Sequence, residues 1–312
     1  FLLLAHFDTV FDPGEPGRRP FRIEGERAFG PGVADMKGGV VTAWEALRAL
    51  AEMGWREFGE LTLIHNADEE IGSPGSRAAI EAAARYADVC LVAEPGRPDG
   101  SVVTARKGIA RYTLRIRGKA AHAGVNPQDG ASALVALAHK VLALHALNDR
   151  ARGISVNAVV LQGGTRSNVV PDAAVGEIDV RFVTSADGEE VLPAVERIAE
   201  TVHLPGTAST LEGGLNRPPM EAGIGARLFD LAVEAAAALG FPLRGTATGG
   251  GSDGNFVAPL GVPVLDGLGP VGGGFHSAAE YLELPTIPRR AALMALILRE
   301  VSRREAFLRS RS

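Results

Sequence analysis

The sequence predicts an α/β fold, a mostly parallel sheet flanked by helices, interrupted by an inserted α+β domain. Three observations carry this. In the first third of the chain, short apolar runs alternate with helix-periodic segments, the pattern of parallel strands covered on both faces. The middle third changes to strands with one wet face, in the order β-α-β-β-α-β. The last third returns to helix, short strand and helix.

The first strand covers residues 2–5, Leu-Leu-Leu-Ala. Residues 38–53 are helical, with Val41, Trp44, Leu47 and Leu50 at helical spacing. A strand follows at 61–64, a helix at 76–86 and a second buried strand at 89–93. Residues 110–117 then alternate like a half-buried strand. Residues 131–147 form a long Ala- and Leu-rich helix. Strands at 156–161 and 175–182, a helix at 189–202 and a weak strand at 207–211 complete a ferredoxin-like split βαβ order. This inserted piece has about 110 residues, an ordinary domain size. After Pro218 and Pro219 come a helix at 224–239, a strand at 263–265 and a helix at 287–301. The basic, polar tail 303–312 is expected to fray. The expected division is a discontinuous domain, 1–106 with 216–312, interrupted by 107–215.

The 312 residues are 46% hydrophobic and 22% charged, a globular balance that allows two domains. The net charge of -5 gives no basic footprint, so no nucleic-acid partner is expected. No signal peptide and no bilayer-length apolar run is present, so no membrane is expected either. Cys90 is the only cysteine. It excludes an intrachain disulfide and a cysteine-rich metal site, and its apolar surroundings make it an inert core thiol. The chain opens at Phe1, inside a strand, and reads as a fragment. A cytoplasmic location is the expectation, with secretion or a periplasmic location left open.

Acids and histidines gather at the ends of the expected strands, where open α/β sheets build their sites. His6 and Asp8 follow the first strand and, two residues apart, share a face. Asp35 precedes the first long helix. Asp68-Glu69-Glu70 and Glu94 follow later strands. His276 lies in a glycine-rich loop. Nitrogen and oxygen ligands without sulfur suit one or two divalent metals, zinc above all, and also cobalt or manganese. Two close metals need a bridging group, and Asp35 on its glycine-flanked loop could supply it. Asp8 is placed to hold the second ring nitrogen of His6. Of Glu69 and Glu70, one can be a ligand while the other stands free as a proton acceptor. Position alone does not say which.

Taken together these stretches resemble the M20 metallopeptidase family, most closely its glutamate carboxypeptidase-like branch. They are Leu4-Ala5-His6-Phe7-Asp8-Thr9-Val10, Gly30-Pro31-Gly32-Val33-Ala34-Asp35-Met36-Lys37-Gly38-Gly39, Asp68-Glu69-Glu70-Ile71-Gly72-Ser73 and Glu94-Pro95. Further along come Gly118-Lys119-Ala120-Ala121-His122-Ala123-Gly124, Ser167-Asn168-Val169-Val170-Pro171, Asp179-Val180-Arg181, Thr248-Gly249-Gly250-Gly251-Ser252-Asp253, and His276 followed by Glu280-Tyr281. They occur in family order and cover almost the whole chain. Members carry several dozen residues ahead of the His-x-Asp strand that this chain does not show.

The resemblance implies a zinc-peptidase-like fold and two zinc ions, with cobalt or manganese as substitutes. Asp35 would bridge them, His6 and Glu94 would complete one site, and Glu70 and His276 the other. Glu69 would be the general base and Asp8 would orient His6. The inserted domain looks like the family's lid and dimerisation domain, which implies a homodimer. His122 matches a histidine that reaches the partner's site and stabilises an oxyanion. Asn168 and Arg181 match substrate-binding lid residues, and Gly250 lies in a run that approaches the substrate's terminal carboxylate. The implied activity is hydrolysis of an amide bond in a small peptide or N-acyl amino acid, releasing a C-terminal amino acid. An N-acyl-amino-acid deacylase, a deacetylase and a dipeptidase are alternatives of the same chemistry. A catalytically silent binding protein is the alternative from another class.

Overall fold

A computed structural model describes residues 1–307. The chain divides into two compact units, Phe1–Arg106 with Met220 onward, and Lys107–Pro219. In chain order the strands are β1 Leu2–His6, β2 Arg22–Glu24, β3 Arg27–Phe29, β4 Thr62–Asn66, β5 Cys90–Val92, β6 Val102–Arg106, β7 Gly108–Arg117, β8 Ser155–Gly163, β9 Ala173–Phe182, β10 Ala208–Arg217, β11 Gly245–Thr248, β12 Val264–Leu265, β13 Gly272–Gly273 and β14 Tyr281–Glu283. The helices are α1 Glu15–Arg18, α2 Gly38–Glu52, α3 Arg77–Ala84, α4 Ala133–His145, α5 Ser185–Glu200, α6 Ala226–Ala238, α7 Gly254–Val257 and α8 Thr286–Ser302.

The first unit is built on a parallel sheet of order β12-β5-β1-β4. Side chains alternate across it, as a period of two requires. Leu3, Ala5, Leu91 and Ala93 join a core that includes residues of α2, α6 and α8. Leu2, Leu4, Cys90 and Val92 join another with residues of α3 and α7. Both faces are therefore covered, which is why these strands read as unbroken apolar runs. A small antiparallel sheet, β13-β14-β3-β2, packs through Ala28, Ala34 and Leu282.

The second unit is a four-stranded antiparallel sheet of order β10-β7-β9-β8. With α4 and α5 this is the ferredoxin-like arrangement. α5 starts at Ser185, earlier than its apolar pattern, because Thr184 accepts from the Asp187 N–H and Asp187 accepts from Thr184 in return. β10 runs to Arg217, well past the expected end. Its Gly213, at φ 109°, would bring a Cβ within 2.2 Å of the Arg111 carbonyl oxygen. A glycine that marks close strand approach reads in sequence as a strand breaker.

The helix expected at 38–53 is α2. Of its helically spaced apolar residues Leu50 is buried and Leu47 packs against the core, while Val41 and Trp44 are 47% and 56% exposed; Gly39, Ala43 and Ala46 complete the buried face. Small residues let the helix sit close against the sheet. A Cβ on Gly39 would lie 1.9 Å from the Ala93 carbonyl oxygen. Gly39→Ala is therefore expected to destabilise by at least about 1–3 kcal/mol, read as a lower denaturant midpoint at unchanged slope. The tail differs from its expected fraying. Phe307 is buried in the α2, α6 and α8 core, and Arg303 and Arg304 pair with Glu57 and Glu234. The rest of that tail, 308–312, lies outside the described residues.

Candidate metal centre

Three neighbouring parallel strands end on one edge of the first unit. β1 finishes at His6, β4 runs into Asp68-Glu69-Glu70, and β5 runs into Ala93-Glu94. Since β4 and β5 flank β1, acids arrive on both sides of His6 without any long excursion of the chain. Asp35 comes from the turn Val33–Lys37 that leads into α2. Its neighbours Ala34 and Met36 are both buried and anchor the turn. The Asp35–Met36 peptide is cis. His276 lies between β13 and β14 at φ 60°.

Asp35 is where these meet. Its Oδ1 lies 3.4 Å from His6 Nε2, and its Oδ2 lies 3.2 Å from His276 Nε2. His6 Nε2 is also 3.6 Å from Glu94 Oε1, and His276 Nε2 is 3.4 Å from Glu70 Oε2. Ligand atoms of His6, Glu69 and Glu94 lie within 4.8 Å of one another, as do those of His6, Asp35 and Glu70. Proximity therefore does not separate Glu69 from the other acids. Asp8 Oδ2 accepts the Glu70 N–H at 3.0 Å. Its Oδ1 is 3.2 Å from His6 Nδ1, close but off the hydrogen-bond direction, so both atoms are buried without a hydrogen bond.

The electrostatics suit a cation. Burial, then the Asp35 charge, pushes Glu70 up to about 7. Burial, then Asp35, also holds Glu94 well above the carboxylate range. Burial works against the charged His6 ring, yet Asp35, Asp8, Glu94 and Glu69 outweigh it and raise its pKa. Burial would likewise raise Asp35, but His276 and His6 bring it below the carboxylate range. His276 is lifted to about 8, chiefly by Asp35. Four carboxylates facing two imidazoles, two of those acids driven toward their neutral form, make a donor set that fits N,O-ligated divalent metal. Metal ligands must be deprotonated. Metal uptake at pH 7 is therefore expected to release protons, and affinity should fall as pH drops through the range of Glu70 and His276. Titration calorimetry in buffers of different ionisation enthalpy checks this. Uptake heat independent of the buffer would refute it.

Gly250 also belongs to the first unit. Its carbonyl and that of Gly251 accept from Arg106 Nη1 at 3.3 and 3.1 Å. Arg106 makes a two-pronged pair with buried Asp266, which also accepts from Ser252. His122, Asn168 and Arg181 belong to the second unit. His122 and Val169 form a β-bridge, and the Ala123 N–H donates to the Asn168 carbonyl at 2.9 Å. His122 Nδ1 accepts the Gly124 N–H at 3.1 Å, so the neutral ring carries its proton on Nε2. Arg181 forks onto Asp179 at 2.7 and 2.8 Å.

Two buried acids beside the metal centre lie in stretches the resemblance matches, but sequence reasoning gave neither a role. Asp253 accepts from Asn66 Nδ2 at 2.7 Å and from Ser73, which braces the turn bearing Glu69 and Glu70. Glu280, a lone acid between alanine and tyrosine, accepts three backbone N–H groups of the Asp35 turn.

Residues 2–300 match the model of peptidase family M20/M25/M40. Carboxypeptidase G2 from a Pseudomonas species is 38% identical over 307 residues, 96% of this chain and 73% of that protein. Succinyl-diaminopimelate desuccinylase from Alkalilimnicola ehrlichii is 29% identical over 320 residues, 96% of this chain and 84% of that one. The crystal structure of aminopeptidase PepT from Bacillus cereus aligns with a TM-score of 0.78 at 25% identity, covering 96% of this chain and 80% of that chain.

Proposed function

The chain belongs to peptidase family M20/M25/M40, hydrolases of C–N amide bonds in small substrates, and from that premise we propose that it is a two-zinc exopeptidase releasing a C-terminal amino acid, glutamate first among them. The observation that carries this is the placement of two imidazole Nε2 atoms against opposite oxygens of the one Asp35 carboxylate, at 3.4 and 3.2 Å. In this reading Asp35 would bridge two ions, His6 and Glu94 would hold one, and Glu70 and His276 would hold the other. Cobalt or manganese can replace zinc on the same donors. The ions, when bound, supply charge that polarises the scissile carbonyl and acidifies the attacking water.

The remaining work falls to side chains. Glu69 accepts a proton from the attacking water as the new C–O bond forms. It returns the proton to the amine nitrogen as the C–N bond breaks. Asp8, beside His6 Nδ1, keeps Nε2 turned toward the centre. His122 offers its Nε2 proton to the carbonyl oxygen as that oxygen gains charge. Arg181 and Asn168 bind the substrate's carboxylate end, Arg181 by exchanging or sharing its contact with Asp179. The Gly250 backbone lines the same end. We extend the reading to a homodimer formed through the second unit, in which His122 of each subunit serves the other's centre.

A deacylase of N-acyl amino acids is the second reading, favoured by the likeness to the desuccinylase. One sample decides between them. Its zinc content is measured, and it is assayed with N-acyl-glutamates, acetylated and succinylated amino acids and dipeptides, with zinc and with cobalt. Two metals per chain and fastest turnover of an N-acyl-glutamate are expected. Faster removal of a succinyl or acetyl group would install the second reading. Metal bound without turnover of any substrate would leave a binding protein.

A further inference from the structure

We propose that Glu280 is a positioning residue that sets the Asp35 carboxylate, and with it the spacing of both metal sites. The inference rests on the two-metal reading above. Glu280 is 1% exposed. Its Oε2 accepts the Gly32 N–H at 2.8 Å, and its Oε1 accepts the N–H groups of Ala34 and Asp35 at 3.0 Å each. Three converging N–H donors form a nest that compensates a buried carboxylate. The contact spans 245 residues of sequence between Asp35 and Glu280. It is brought about by the pairing of β14 with β3, Tyr281 opposite Phe29.

The segment that carries Glu280 also carries His276, whose Nε2 faces Asp35 Oδ2 at 3.2 Å. Asp35 is thus held at its own main-chain N–H by one end of this segment and faced at its carboxylate by the other. Because Asp35 is shared by both sites, a shift of its turn perturbs two ions at once. A group that fixes a ligand in this way typically changes metal affinity by about 10- to 100-fold when replaced. The glutamine variant is a sharp probe. Both carboxylate oxygens are engaged, so an amide NH₂ must face at least one N–H donor whichever way it is turned.

Cobalt binding is measured by equilibrium dialysis and by the visible spectrum of the loaded protein, for wild type, Glu280→Gln, Glu280→Asp, Asp35→Asn and Leu298→Ala. Leu298 is a fully buried core residue of α8 and controls for general loss of stability. The expected result for Glu280→Gln is cobalt affinity weaker by about 10- to 100-fold, with a changed spectrum, while Leu298→Ala loses thermal stability and keeps both readouts. Wild-type affinity and spectrum in Glu280→Gln would overturn the proposal and leave the two-metal reading standing. Two tightly held ions in Asp35→Asn would overturn that reading instead, and the proposal with it. Should Glu280→Gln not fold, Glu280→Asp is judged by the same readouts. Should neither fold, amide hydrogen exchange of the wild type decides. Gly32, Ala34 and Asp35 amides exchanging like exposed ones would overturn the proposal, and strong protection that deepens on cobalt loading supports it.

Discussion

Glu69→Ala is expected to lower kcat by about 10²- to 10⁴-fold, the range for removing a positioned general base, while the protein still binds two metals. The reason is the division of labour that the proposed reading gives the adjacent acids. Glu70 is anchored from two sides: its N–H is held by Asp8, and its carboxylate lies 3.4 Å from His276. A ligand gains from such anchoring. Glu69 gathers with His6 and Glu94 beside the centre, and the proposed reading leaves its carboxylate to the water. Proton transfer needs a carboxylate within hydrogen-bond reach of both water and amine. Glu70→Ala should therefore differ in kind, losing metal along with activity. Metal analysis and kinetics on the same preparations separate the two. Near wild-type kcat in Glu69→Ala, or lost metal in that variant alone, would show the roles to be reversed or absent.

The largest stability effect is expected at Asp266→Ala, a loss of about 3–5 kcal/mol, the usual cost of leaving one member of a buried ion pair without its partner. Arg106 and Asp266 are 4% and 0% exposed and meet at 2.7 and 2.8 Å. Burial would strip the Arg106 guanidinium of its proton more easily, but Asp266 outweighs this and holds it charged. Removing Asp266 leaves a buried cation whose remaining acceptors are the carbonyls of Gly250 and Gly251. Ser252 loses its acceptor as well. The double replacement Arg106→Met with Asp266→Leu should recover part of the loss, because two apolar groups leave no charge behind. Denaturant unfolding of wild type, single and double variants checks this. A double variant less stable than the single one would contradict the argument. The pair also fixes the Gly250 and Gly251 carbonyls, and in the proposed reading the Gly250 backbone contacts the substrate, so the single variant should raise KM more than it lowers kcat.

Much of the centre was readable as a pattern because parallel strands end on one edge. His6, Glu94 and the pair Glu69 and Glu70 each follow an apolar run, and three hydrogen-bonded strands carry them to one place. Helical spacing located α2 but did not settle its buried face. It marks Val41, Trp44, Leu47 and Leu50, of which only Leu47 and Leu50 reach the core, and the rest of the buried face is Gly39, Ala43 and Ala46. Which side of a helix is buried depends on how close its partner comes, and that distance is not written in hydropathy. The two- and three-residue strands β13 and β14 are too short to show a period of two. The loop that holds His276 is therefore explained only by the pairing around it.

From residues alone, the chain determined its sheet type, its inserted βαββαβ unit and the inventory of nitrogen and oxygen ligands, because these follow from local periodicity and side-chain chemistry. Tertiary structure decided which oxygen of Asp35 faces which imidazole, that Glu280 grips the Asp35 turn through three amides, and that Asp253 braces the turn of Glu69. Those contacts join groups far apart in the chain, and the partners of Glu280 are backbone N–H groups, which every residue but proline possesses. No pattern of side chains can announce a bond whose donor is common to nearly all of them.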